Sequence, residues 1–258
     1  LGDDGSVWVW GYNNNGQLGL GNPGINNSTD TSGGPTSTAF YSANVTRPVR
    51  LPQSYFDGRQ IVDMWVSGSE EAWFHCLDEQ GQLWGWGHNQ HGELGVGNRS
   101  GSYYYTHPQR IGINWNRYGG IKMYQTTHSN GGHSCTHILD GEGYMWFTGY
   151  TTSGAWPIGS PGYTGTHHIG SFRREGHFLN GDIDYFWCGG DENKWLYIRQ
   201  KSTGMLWVHD GNYGTDGGRG QSVESNGYWY QSGGHPGSFI HMKGPKWAVN
   251  VCDVGMSR

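Results

Sequence analysis

No stretch of this 258-residue chain stays apolar for the roughly 18–20 residues that a membrane-spanning helix needs, so no such span is expected. Lysine is scarce, with five against eleven arginines, and the net charge is −5. That balance argues against a nucleic-acid surface, which needs concentrated positive charge to neutralise phosphates. The four cysteines, Cys76, Cys135, Cys188 and Cys252, include no CxxC pair, which argues against a zinc site; buried free thiols are expected. There is no GxSxG, no HExxH and no P-loop. Asp3, Asp4, Asp78, Glu79, Asp140 and Asp210 stand in turn-like stretches rather than as a spaced acid–base pair. No signal peptide or lipidation motif is read. The expectation is a non-enzymatic chain without cofactor or metal.

What is present is glycine, 47 residues, and tryptophan, 14 residues, in a chain that is 15% aromatic. Disordered chains rich in glycine are poor in aromatics, so this pairing points to tight turns between short packed strands. A Gly-x-hydrophobic-Trp core recurs as GSVW ending at Trp8, GQLW at Trp84, GYMW at Trp146 and GMLW at Trp207. Ahead of the last three lies the same prelude: strand, small-residue turn, strand, polar turn. Repeat cores thus fall near 5–22, 61–98, 121–160 and 183–220, and 247–258 opens a partial one, within a single domain over 1–258. On a strand, Trp8 and Trp10 share one face while Val7 and Val9 share the other. Both faces are apolar, so the strand is expected between two sheets. The tryptophans Trp8, Trp10, Trp84, Trp86, Trp146 and Trp207 are accordingly expected to be core. Single units of this kind cannot bury both faces, whereas sheets stacked side by side can.

The stretches DGSVWVWGYNNNGQLGLGN (4–22) and VSGSEEAWFHCLDEQGQLWGWGHNQHGELGVGN (66–98) resemble the regulator of chromosome condensation repeat family. The likeness fades at GYTTSGAWPIGS (149–160), which has lost Gln-Leu-Gly, and at HDGNYGTDGGRG (209–220). The resemblance implies an all-β fold, a β-propeller of four-stranded blades with long inter-strand loops. That family's propellers typically have seven blades, and four cores are visible here. The expectation is therefore part of a larger ring, or a ring closed by terminal strands sharing a blade. The resemblance also implies that His133 stands near a structural blade histidine. Long polar insertions occupy 22–46 and 212–238.

Candidate contact residues lie outside the repeat cores. His128, His133 and His137 are close in sequence, but their spacing does not place three rings on one strand face, so no metal site is assigned. The aromatic stretches SGSYYYTH (100–107), SGAWPIGSPGYTGTHH (153–168) and SNGYWYQSGGHPG (225–237) combine rigid aromatic area with adaptable hydrogen bonding. They nominate Tyr103, Tyr104, Tyr105, Trp156, Tyr163, His167, His168, Tyr228, Trp229, Tyr230 and His235 as ligand-binding residues, with packing across the propeller face as the alternative role. The resulting functional expectation is a recognition module: the receptor- or glycan-binding part of a virion fibre or cell-surface adhesin, located outside the cell. Its partners would be a host-surface glycan or protein receptor and further copies or subunits of an assembly. The alternatives are a cytoplasmic guanine-nucleotide exchange factor-like regulator of a small GTPase, which the resemblance implies, and a structural decoration of a virion or filament. A glycan-active enzyme is disfavoured.

Overall fold

The computed structural model describes residues 1–13, 16–21, 45–67, 72–97, 104–127, 134–151, 167–174, 180–189, 195–210 and 240–241. Within these residues there is no α-helix. Among the described residues, fourteen strands form four antiparallel sheets. The first holds β1 (Trp8–Gly11) and β2 (Val45–Arg50). The second holds β3 (Ile61–Ser67), β4 (Trp73–Asp78), β5 (Gln82–His88) and β6 (Tyr104–Asn114), in that spatial order. The third holds β7 (Ile121–Thr127), β8 (Cys135–Asp140), β9 (Met145–Thr151) and β10 (His167–Arg174). The fourth holds β11 (Ile183–Gly189), β12 (Trp195–Gln200), β13 (Leu206–Asp210) and the two-residue β14 (Ile240–His241). These sheets are blades of a β-propeller, as the spaced tryptophan cores imply.

A repeated turn sets each core strand. Asp78 ends β4, and its Oδ1 accepts from the backbone N–H of Gln80 and Gln82, both at 2.9 Å. Its Oδ2 accepts from the Trp84 indole at 3.0 Å and from Arg59 at 3.0 Å. Asp140 does the same for Glu142, Tyr144 and the Trp146 indole, at 3.0, 2.9 and 2.7 Å. In the fourth sheet Gln200 takes this place and accepts from the Trp207 indole at 3.1 Å. In the first sheet Gly2 stands where the aspartate would, and the Trp8 indole donates to Ser6 instead. The carboxylate thus fixes both the hairpin and the indole rotamer, a tighter form of the turn chemistry read from the sequence.

The GQLGLG and GELGVG segments grip the next sheet. In each, an asparagine side chain (Asn13, Asn89) accepts from the leucine N–H five residues on, at 2.9 and 3.1 Å. Leu18 and Leu94 are buried. The last glycine donates across the gap: Gly21 N–H to Thr106 in β6, Gly97 N–H to Gly170 in β10, both at 2.7 Å. Gly19, at φ +73°, lies against the Trp86 indole, where a Cβ would come within 2.6 Å of Nε1. Gly95, at φ +71°, presses likewise on the Phe172 ring.

Apolar cores fill the gaps between sheets. Val7, Val9, Leu18 and Phe56 meet Trp73, Trp84 and Trp86. Leu83, Ile111 and Trp115 meet Ile138, Trp146 and Phe172. Cys135, Leu139 and Phe147 meet Ile183, Phe186 and Ile198. β3, β7 and β11, the first strands of the second, third and fourth sheets, meet along one edge, where Trp65 stacks on Tyr124 and Gln125 Oε1 accepts from Cys188 N–H. At the other edge the outer strands β2 and β6 carry Pro48 and Pro108, residues that suit an unpaired edge.

Two expectations about the first sheet are corrected. Trp8 and Trp10 are 42% and 59% exposed, not core, and β1 is covered on its Val7–Val9 face alone. Trp84 and Trp86 are buried because the first sheet lies against them. Among the described residues nothing lies against the equivalent face of β1. Trp207 is half-buried, and Trp84, Trp86 and Trp146 are core as expected. Cys76, Cys135 and Cys188 are buried free thiols; burial pushes the Cys76 thiol up, and Cys252 lies outside the described residues.

A candidate recognition site at the long-connection end

Antiparallel order puts the short turns 79–81, 141–144 and 201–204 at one end of the sheets. The connections 89–103, 128–133 and 152–166 leave from the other. Two of the nominated residues meet there, through partners that the sequence reading did not single out. Tyr104 opens β6 and sets its ring edge-on to His88, centroids 5.1 Å apart. His168, in β10, stacks on His91 at 5.0 Å with an interplanar angle of 9°. Their Nδ1 atoms are 3.1 Å apart. Tyr150, near the end of β9, stands edge-on to both rings at 5.2 Å. Tyr104, Tyr150 and His168 are half-buried, while His88 and His91 are buried, so three rings of the group reach solvent.

Glu93 anchors the group from below. Its fully buried carboxylate meets His88 Nδ1 and accepts from the His91 N–H at 2.8 Å. Burial alone would raise this carboxyl, but the His88 hydrogen bond and charge hold it below its ordinary value. Glu93 occupies the place of Gln17 in the first loop, so the second loop carries an ion pair where the first carries an amide. Beneath it, His75 Nδ1 accepts from the Tyr124 hydroxyl at 2.7 Å and Nε2–H donates to the Leu94 carbonyl at 3.0 Å.

The His75 imidazole is neutral. Burial lowers its pKa to about 4, against the opposing pull of the Leu94 carbonyl and the Glu93 charge. The unfolded chain would bind a proton near pH 6.5 that the folded chain refuses, so stability is whole above 6.5 and falls as pH drops towards 4. A loss of about 3 kcal/mol across that window is expected from this group, read as a falling urea midpoint, and His75→Phe should remove that share of the slope.

The other nominated residues divide. Tyr105 is buried at 6% exposure within the core between the first two sheets, on the opposite face of β6 from Tyr104, so it does not face a ligand. His167 is placed in β10 by its backbone alone. Tyr103, Trp156, Tyr163, Tyr228, Trp229, Tyr230 and His235 lie outside the described residues, as do His128 and His133. His137 is fully buried with its ring near Phe186. Among the described residues no group of three or more His, Cys, Asp or Glu side chains is arranged to hold a metal ion.

The fold is similar to that of human WBSCR16, with a TM-score of 0.50 and 16% identity, covering 81% of this chain and 44% of that one. Yeast RCC1 (Prp20), solved bound to Kap60, aligns with a TM-score of 0.49 and 18% identity, covering 80% of this chain and 40% of that one. The chain thus spans less than half the length of either. Residues 4–63, which run from the turn before β1 into the start of β3, match the Regulator of chromosome condensation (RCC1) repeat, and the four sheets are blades of a β-propeller.

Proposed function

We propose that this chain is a recognition module without catalytic activity, in which a rigid stack of sheets presents its long connections to a glycan or protein receptor. The supporting observation is the convergence of Tyr104 and His168 with His91 and Tyr150 at the end from which those connections leave. Half-buried aromatic rings fixed by a buried ion pair offer contact area at little entropic cost. The composition, rich in Gly, Asn, Ser, Tyr and Trp and poor in Lys, suits a surface exposed to the medium, on a virion fibre or a cell-surface adhesin. A glycan array and a whole-cell retention assay with the purified chain test the reading. Tyr104→Ala should weaken binding about tenfold, as truncating a central aromatic contact does. Absence of glycan signal and of cell retention by the wild type would overturn it.

The RCC1 repeat match supports a second reading, an exchange factor-like regulator of a small GTPase. Nucleotide release measured over a panel of small GTPases separates the two. The exposed Trp8–Trp10 face supports a third, a structural subunit of an assembly, for which light scattering gives the size.

A further inference from the structure

We infer that the outer wall of the stack is a docking surface for a linear acidic polysaccharide, met by one arginine on each of three blades. The inference does not rest on the site at the long-connection end. The outermost strands β2, β6 and β10 hold five of the chain's eleven arginines, Arg47, Arg50, Arg110, Arg173 and Arg174, and no aspartate or glutamate. All five are exposed. A chain of net charge −5 thus gathers positive charge along one edge of its sheets. Three of these arginines are in register: Arg50 lies opposite Trp8, Arg110 opposite Trp84 and Arg174 opposite Trp146. The repeat therefore sets a guanidinium at the same position on three successive sheets, and in the fourth His241 pairs with Trp207 instead.

What steadies each guanidinium leaves it able to take an acid. Arg110 donates from Nε to the Gln82 side-chain oxygen at 3.0 Å, and among the described residues its two terminal nitrogens have no partner. Arg174 lies over the Tyr144 ring, 4.1 Å from its centroid, and 5.5 Å from that of Trp146. Gln82 and Tyr144 occupy the same place, two residues before the core tryptophan, and both are neutral. Arg50 faces a carboxylate, Asp4 at 3.6 Å, but the two side chains are 49% and 63% exposed, so the pair is solvated and readily exchanged. A guanidinium steadied by a neutral partner keeps its remaining N–H groups for two-pronged contact with a carboxylate or sulfate.

The spacing selects the polyanion. Facing sheets lie about 10 Å apart and propeller blades diverge outwards, so the row offers one charge per ~10 Å or more. A nucleic-acid strand carries a phosphate about every 3.4 Å, and its readers add open aromatic platforms for the bases. Here the Tyr144 ring is already covered by Arg174. An acidic strand of another protein would pair with the backbone of a sheet edge, which Pro48 and Pro108 interrupt. Sparse acids in a line, with hydroxyl-rich stretches between them, describe a polysaccharide with one acid per disaccharide.

Biolayer interferometry of the full chain on immobilised hyaluronate, at rising sodium chloride, tests the wall. Binding should be present at low salt and fade as salt screens it. Arg50→Gln, Arg110→Gln and Arg174→Gln should each weaken it about threefold and the triple variant about thirtyfold, because sites on separate blades add. Lys122→Gln removes the same charge from β7, at the opposite edge of its sheet, and should leave binding unchanged. If the triple variant fails to fold, dicarbonyl modification of the wild type, read by peptide mass, decides: hyaluronate should shield Arg50, Arg110 and Arg174. Absence of binding at low salt, absence of shielding, or a loss from Lys122→Gln equal to that from a wall arginine overturns the proposal. Tighter binding of oligothymidylate or polyglutamate than of hyaluronate overturns it too.

Discussion

Asp78→Ala should lower the unfolding free energy by about 3–5 kcal/mol, the range for stripping a buried charge from its partners. The side chain is wholly buried and serves four donors: two backbone N–H groups of the following turn, the Trp84 indole and Arg59. Removing it leaves the indole and both amides without their acceptor and Arg59 without its counter-charge. Urea unfolding followed by tryptophan emission measures the loss. Trp84→Phe, which gives up the indole N–H and keeps most of the apolar bulk, should cost far less. Equal costs for the two variants would mean that the carboxylate serves the indole alone and that the turn is held by other means.

Gly19→Ala should cost about 2–4 kcal/mol from two separable sources. The backbone there has φ +73°, a conformation that L side chains rarely adopt, and the added methyl would come within 2.6 Å of the Trp86 ring. Gly58 supplies the control, because it has φ +76° with nothing within 4 Å of the added atom. Gly58→Ala therefore reports backbone strain alone, about 1 kcal/mol. The difference between the two variants measures the close approach of the loop to the neighbouring blade, and a difference near zero would refute the clasp.

The sheets were legible because their chemistry repeats. Gly-x-hydrophobic-Trp with its polar turn returns at Trp84, Trp146 and Trp207, and each time β5, β9 or β13 forms as expected. Burial was less legible, because it depends on what lies opposite. Trp8 and Trp84 occupy the same place in their strands, yet one is 42% exposed and the other 4%. In Tyr104 and Tyr105 the alternation of a strand was available and unused: consecutive residues point to opposite faces, so one of the two had to turn inward. His91, Glu93 and Tyr150 escaped notice because they sit within repeat text rather than in the aromatic stretches. Comparing the two loops would have exposed one of them, since Glu93 replaces Gln17 in an otherwise repeated segment. The face shared by His91 and His168 arises from residues 77 apart brought together by blade packing, which no local pattern encodes.

Each clasp precedes its target along the chain: Gly19 and Gly21 come before Trp86 and β6, and Gly95 and Gly97 before Phe172 and β10. On the ribosome, the second and third sheets would therefore each emerge after the loop that clasps them has already been made. Assembly of such a stack can proceed blade by blade behind the exit tunnel, with little greasy surface left bare at any moment of translation.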